Sequence, residues 1–521
     1  MPEVMGWARS TAVKAICSPV LGYSGAMRSI LVHALALFLA TPTLAQQGEA
    51  SAPSKAEPTR PVAEIVAEIL SAAPEGTRYG LVVQKREGGE ILAIAADERF
   101  IPASNTKIYT TLAAYRQLAA LQRAAEGTGV RIEPAPDGAV DVVLEGRGEA
   151  TVSSARDCRT QCLATLADAV AARARRVRNV VGDASWYPDE RWSAGMSWNN
   201  IPFRYGTATG ALVVDDNEIV VSVAPGRIGQ PGTIESDGYY RIDNLTRTVA
   251  GADSALDLRR LPGSDTLVVD GTIGTGADPS AFRLGLDDPA HRAAWRLARL
   301  LEERGVQVTG DVTSRYRPLL PSDDPVNRAG APAARMPKEE MLARLPPEQI
   351  AADIVTINKQ SQNLHAELML RRAGKLTGSG SVADGQRALE DLLDAADLPR
   401  DGFVLADGSG MSSYNRLNPR ITSRLLAWAA RQEWGDAWRA SLPVGGIDGT
   451  LARRFAETPL EGRIFAKTGS LNASRALSGY MIAASGEQLV FSAVANDIPP
   501  GGEAAALAAL DAALVAIAAE N

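Results

Sequence analysis
From residue 61 the chain alternates between two hydrophobic rhythms. In PVAEIVAEILSAA (61–73) the apolar positions recur at helical spacing, and Pro61 suits a first turn. GLVVQKREGGEILAIAAD (80–97) changes to strand-like runs broken at Gly88-Gly89, which predicts a hairpin. IPASNTKIYTTLAAYRQLAAL (101–121) opens on Ser-Asn-Thr and continues as a helix. The texture changes near residue 125. Residues 130–345 are rich in short strand-like runs and turns, such as GAVDVVLEG, RNVVGDASW, GALVVDDNEIVVSVAPG and DTLVVDGTIG. A helix, HRAAWRLARLLEERG (291–305), interrupts them, and a Pro/Asp-rich bridge follows at 317–336. Helices return from 347 with PEQIAADIVTINKQSQNLHAELMLRRAGK, then again near 384–396. The last hundred residues give EGRIFAKTG, SRALSGYMIAAS and EQLVFSAVAND as strands, and an Ala/Leu helix (503–519) closes the chain.

This order predicts an α+β protein. The front hairpin and the three late strands can share one antiparallel sheet, flanked by the terminal helices. The body would comprise 60–128 and 345–521. An inserted, mostly β region would occupy 129–344, as two nested parts. Ahead of it, Arg28 precedes an apolar run from Ile30 to Ala40, then the small-x-small pattern Thr43-Leu44-Ala45. Residues 1–45 therefore read as a secretory signal peptide, with Met27 an alternative start. The other reading of that run is a short membrane anchor, although it is short for a span. Gln46–Thr59 reads as a flexible lead-in.

Composition narrows the chemistry. The 521 residues carry 54 Lys+Arg against 61 Asp+Glu, a net charge of −7. That balance leaves no basic footprint for nucleic acid, and 45% hydrophobic residues exclude wholesale disorder. With 3 Cys and 3 His, zinc or cluster chemistry has too few ligands. Cys158 and Cys162 are the two cysteines after the cleavage point. In an oxidising compartment they could pair or remain as two thiols.

A nucleophilic serine needs a base. Beyond the leader the histidines are His291, expected on the surface of an Arg-rich helix, and His365. Lysine is the other route. Ser104-Asn105-Thr106-Lys107 sets two side chains on one face of a first helical turn, with the serine at the positive dipole end. A desolvated Lys107 can be neutral and accept the serine proton. The plain alternative is an N-cap serine beside a solvated lysine.

Two further elements follow. Ser-x-Asn occurs at Ser197–Asn199, Ser361–Asn363, Ser413–Asn415 and Ser470–Asn472. Ser361 has the best setting, between helical runs, where it can relay a proton to a leaving amine while Asn363 holds Lys107 and a substrate carbonyl. Lys467-Thr468-Gly469, on a predicted strand, is a triplet expected only about 0.1 times by chance. Lys467 and Thr468 can grip a carboxylate, and Gly469 lets a substrate backbone come close. The N–H groups of Ser104 and Ser470 can share an oxyanion.

In this order the three elements resemble the penicillin-recognising serine enzymes, and most of all the S13 D-alanyl-D-alanine carboxypeptidase/endopeptidase family of soluble low-molecular-mass class C penicillin-binding proteins. ASNTK (103–107), SQNLHAE (361–367), LADGSGMSSYNR (405–416), LPVGGIDGTL (442–451) and AKTGSL (466–471) carry the likeness. So does the texture of VVGDASWYPDERW and GTATGALVVDDNEIVV. The resemblance implies a β-lactamase/transpeptidase-like fold with an insertion between the first two elements. It implies Ser104 as acyl-forming nucleophile, Lys107 as base, Ser361 and Asn363 as proton shuttle and peptide holder, and Lys467 and Thr468 at the terminal carboxylate. Asp407, Gly408 and Ser409 would shape the cleft wall or simply form a tight turn. The implied partners are peptidoglycan stem peptides and, as covalent inhibitors, β-lactams, in the periplasm, with no cofactor, no nucleic acid and no span in the mature chain. Ser470 stands where the family often has Thr. Asn199 and Asn200 stand where some members have an acidic group for the diaminopimelate amine. A serine β-lactamase shares the three elements, but Glu367, Glu390, Glu433, Glu457 and Glu461 all lack the Asn three positions on that the class A deacylation device needs. A non-catalytic wall-binding scaffold would be expected to have lost some of these side chains.

Overall fold
The computed structural model describes residues 60–329, 331–334 and 339–521. The leader 1–45, the lead-in 46–59 and part of the 317–336 bridge lie outside the described residues.

The hairpin strands Arg78–Lys85 and Glu90–Ile94 join the late strands Ile464–Leu471, Ser474–Ile482 and Gln488–Asn496 in a five-stranded antiparallel sheet. Across it the order runs 464, 474, 488, 78, 90 by first residue. Gly88 and Gly89 take φ of 107° and 94° in the hairpin turn, which few other residues tolerate. Both faces of the sheet are covered, so its central strands are nearly all apolar. Alternate residues go to opposite layers. Leu477 and Phe491 pack with Val66 and Leu510 of the terminal helices Val62–Ser71 and Glu503–Glu520. Tyr480 and Val490 pack instead with Tyr109, Leu425 and Trp438 of the helical layer. The α+β arrangement expected from the pattern is the one observed.

A second body of strands lies between residues 129 and 344. Gln307–Val308, Arg176–Pro188, Val140–Glu145, Gly129–Pro134 and Ala343–Arg344 form a mixed sheet in that order, with Val312–Arg317 also pairing with Arg176–Pro188. Helices Leu163–Arg173 and Pro289–Glu303 cover it through Leu166, Val170 and Leu297. Within this stretch, two three-stranded sheets share a separate core around Val221, Val269 and Leu284.

Two features depart from the sequence reading. Leu163–Arg173 is a helix, where the local sequence pattern suggests short strands and turns. Its buried Leu163, Leu166, Ala167 and Val170 do have helical spacing. His291 is not a surface residue: it is half-buried, with Nδ1 3.0 Å from the Tyr239 hydroxyl. Cys158 and Cys162 form a disulfide.

Candidate active site
Ser104 sits in a one-turn 3-10 segment, Ala103–Asn105, that runs straight into the helix Thr106–Arg116. That helix is buried from Thr106 to Ala114, so its polar groups need internal partners. Thr110 donates to the Gly408 carbonyl at 2.8 Å, and Tyr109 pairs with Thr422 at 2.9 Å. Lys107 is 0% exposed. Its Nζ lies 2.9 Å from Ser104 Oγ and 2.7 Å from Asn363 Oδ1, and it also donates to the Ser409 carbonyl. Burial pushes its pKa down to about 7, against the opposing pull of Asp407 and Glu367.

The amide orientation of Asn363 is determined by a second contact. Its Nδ2 donates to the Tyr205 carbonyl at 2.8 Å, so Oδ1 faces the lysine. Both the Ser409 carbonyl and Asn363 Oδ1 can only accept. A neutral amine has two N–H bonds for these two acceptors and one lone pair left over, which faces the Ser104 hydroxyl. The ammonium form would donate to all three groups, and the neutral form keeps its lone pair toward the Ser104 hydroxyl.

Ser361 occupies a left-handed conformation (φ 59°, ψ 37°) at the end of the helix Ile350–Gln360. This is a costly position for a residue other than glycine or asparagine. Gln362 caps the next helix, Asn363–Lys375, by accepting from the Leu364 N–H at 3.0 Å. The sharp reversal sends Asn363 to Lys107 and Ser361 to the second lysine. Lys467 is 0% exposed, and its Nζ donates to Ser361 Oγ at 2.8 Å and to the Thr468 carbonyl at 3.0 Å. Burial, then the nearby Lys107, hold its pKa well below the ordinary lysine value. The Thr468 hydroxyl meets that of Thr450 at 2.8 Å on the exposed side.

Gly469 has no room for a side chain within the chain itself. A Cβ there would lie 2.6 Å from the Pro102 carbonyl oxygen and 3.3 Å from the Asn105 nitrogen. The close approach is made by the serine segment of this chain, and it seats the strand carrying Ser470 against the turn carrying Ser104.

The 407–410 segment is both turn and wall. Buried Asp407 accepts from the N–H groups of Gly410 (2.9 Å) and Ser412 (2.6 Å) and from Asn415 Nδ2 (2.7 Å). The turn it ties presents the Ser409 carbonyl to Lys107. Asn415 is thereby used structurally, as is Asn199, which accepts from Ser197 at 2.5 Å on the surface. Of the Ser-x-Asn pairs, 361–363 is the one bonded to the two lysines. His365 is occupied elsewhere: its ring nitrogens lie 2.6 Å from Asp353 and 3.0 Å from Asp216. Burial opposes its charge, but those two carboxylates outweigh it and raise its pKa to about 10.

Sequence reasoning did not single out Tyr205, Thr450 or a role for Glu367. Tyr205 and the Ser409 carbonyl act through the backbone, which leaves no side-chain signature. Glu367 stands one helical turn beyond Asn363, a spacing that does signal a shared face.

Comparison with known proteins gives the family and the fold. The sequence matches the family described as D-Ala-D-Ala carboxypeptidase 3 (S13) over residues 62–521. It is 33% identical over 454 residues to a D-alanyl-D-alanine carboxypeptidase of Actinomadura sp. (strain R39), covering 83% of this chain and 80% of that one. It is 23% identical over 454 residues to the D-alanyl-D-alanine carboxypeptidase DacB of Haemophilus influenzae, covering 84% and 89%. Among solved structures, penicillin binding protein 4 from H. influenzae has a similar fold, with a TM-score of 0.72 at 20% identity over 86% of this chain and 98% of that one.

Proposed function
The chain belongs to the D-Ala-D-Ala carboxypeptidase 3 (S13) family, and from that premise we propose how its cleft divides the work of a DD-peptidase. The protein is a serine hydrolase of peptidoglycan peptides, releasing a terminal D-Ala, cutting D-Ala–diaminopimelate cross-links, or both. Ser104 Oγ attacks the carbonyl carbon of the penultimate D-Ala while Lys107 Nζ takes its proton. The N–H groups of Ser104 and Ser470 hold the oxyanion that forms. The C–N bond then breaks, and Ser361 delivers a proton to the leaving amine, replenished from Lys107 or Lys467. Asn363 holds the acyl-side amide. Water hydrolyses the Ser104 ester by the same proton path in reverse.

Lys467, Thr468 and Thr450 receive the terminal carboxylate. The incoming anion favours the charged form of Lys467, so binding itself draws a proton onto that amine. Gly469 keeps the carboxylate strand against the serine turn. The catalytic body in this reading comprises 60–128 and 345–521, with 129–344 as a two-part insertion. Residues 1–45 direct export to the periplasm. No helix among the described residues is long and apolar enough to cross a membrane.

The observation that carries the reading is the set of contacts at Lys107 Nζ: two obligate acceptors and one hydroxyl. The test is incubation of the protein and its Ser104→Ala variant with fluorescent penicillin. The wild type should label covalently and the variant should not. Equal labelling of both would remove Ser104 from the mechanism. Digestion of cross-linked and uncross-linked muropeptides then measures the balance of the two activities.

A further inference from the structure
Glu367 is 7% exposed and belongs to none of the three motifs. It lies on the helix Asn363–Lys375, one turn beyond Asn363 and on the same face. Its Oε1 accepts from the N–H groups of Gly408 at 3.1 Å and Ser409 at 2.9 Å. Its Oε2 accepts from Ser193 Oγ at 3.3 Å. The two backbone residues it holds are also gripped from the other side. The Gly408 carbonyl accepts from Thr110 at 2.8 Å, and the Ser409 carbonyl accepts from Lys107. Ser409 thus joins two ionisable groups: its N–H touches the carboxyl, and its C=O touches the amine.

We propose that Glu367 is a positioning residue for the lysine base: it fixes the Ser409 carbonyl on Lys107 Nζ, and its charge governs how readily that amine stands free to take the Ser104 proton. This rests on the reading of Lys107 as base. The charged groups around the pair belong to several elements. Asp407 of the turn and Glu367 both favour the lysine cation, and Lys107 in turn opposes the charge of Lys467 on the carboxylate strand. Burial, and then Asp407, raise Glu367 well above the ordinary carboxylate range. Arg371, the cation that opposes this rise, gives its hydrogen bonds to Glu190 and the Gly380 carbonyl. Burial thus moves the two groups toward each other, Lys107 down and Glu367 up.

Two substitutions separate charge from position. Glu367→Gln keeps an oxygen for the two N–H groups and an amide to donate to Ser193, but has no charge. Glu367→Asp keeps the charge and withdraws it from the turn. The measurement is the rate of acylation by a penicillin across roughly pH 5 to 9, for both variants, the wild type and Lys107→Ala. With Lys107→Ala inactive, the Glu367→Gln profile should keep its form and move its acidic limb down by about one pH unit. Glu367→Asp should leave the limb in place and slow acylation by about ten-fold or more, through the misplaced carbonyl. A Glu367→Gln profile superimposed on the wild type, with Glu367→Asp at the wild-type rate, overturns the proposal while leaving the base in place. Wild-type acylation by Lys107→Ala would remove the lysine base itself, and this inference with it.

Discussion
At Asn363 a single side chain joins two parts of the site. Its Nδ2 is committed to the Tyr205 carbonyl at 2.8 Å, and its Oδ1 to Lys107 at 2.7 Å. Asn363→Asp is nearly isosteric, yet it turns both contacts against the mechanism. An oxygen would replace the amide nitrogen facing the Tyr205 carbonyl, and a carboxylate would stand beside the amine that the proposed mechanism needs neutral. The added anion raises the Lys107 pKa from about 7, so the base is held in its protonated form at neutral pH. Acylation should fall by about a hundred-fold at pH 7 and recover in part as the pH rises. A rate–pH profile of penicillin acylation checks this. A loss of the same factor at every pH would mean that geometry alone, and not the charge of the lysine, had been disturbed.

Among elements, the turns around the serine are the most constrained. Gly410 takes φ of 89°, and a Cβ on it would lie 1.9 Å from the Ala103 carbonyl oxygen, next to Ser104. Gly410→Ala should cost about 2–4 kcal/mol of stability and displace the serine turn, lowering acylation disproportionately. Gly88 has a similarly positive φ, 107°, but open space around its Cβ position. Gly88→Ala should cost about 1 kcal/mol and leave acylation unchanged. Denaturant unfolding beside labelling rates distinguishes the two. The contrast also marks what the sequence could convey. The motifs were legible because lysine beside serine, and Lys467-Thr468-Gly469, are side-chain chemistry in a rare order. The sheet was legible because its hairpin and late strands have unambiguous periodicity. The helix Pro419–Ala430 is not among the elements the pattern predicts, although Asn418 caps it, accepting from Ile421 at 2.7 Å, with Pro419 in its first turn. What had no local signal was contact between distant backbones: the Tyr205 and Ser409 carbonyls, or the Pro102 carbonyl that makes residue 469 a glycine. Any residue type carries a carbonyl, so only the folded chain reveals which ones are used.

For the whole molecule, the helix Asn363–Lys375 is the joint. Leu364 and Leu368 enter the core of the mixed sheet formed between residues 129 and 344, while Ala366, Met369 and Leu370 enter the core of the helical layer. The residues between 129 and 344 therefore help to hold the helix that begins with Asn363, and removing them would expose one of its faces. His365, on the same helix, makes the joint electrostatic. It bridges Asp216 from that stretch and Asp353 from the helix Ile350–Gln360, and Asp353 is held in turn by Arg372 at 2.9 Å. Because the folded pKa, about 10, stands above the ordinary histidine value of 6.5, folding favours the protonated ring. Its contribution is complete below pH 6.5, declines as the pH rises, and is gone above about 10. His365→Gln should lower stability by about 2–3 kcal/mol near pH 6, a fall in Tm of about 2–3 °C. The difference should shrink steadily as the pH approaches 10, because the wild type loses what the variant never had. Thermal unfolding of both proteins across this range is the measurement. A gap that stayed constant with pH would make His365 a packing residue and not a charged link. Penicillin labelling of the variant near pH 6 adds a second readout. Since His365 and Asn363 share one helix, loosening the bridge should slow acylation although neither ring nitrogen bonds to Ser104 or Lys107.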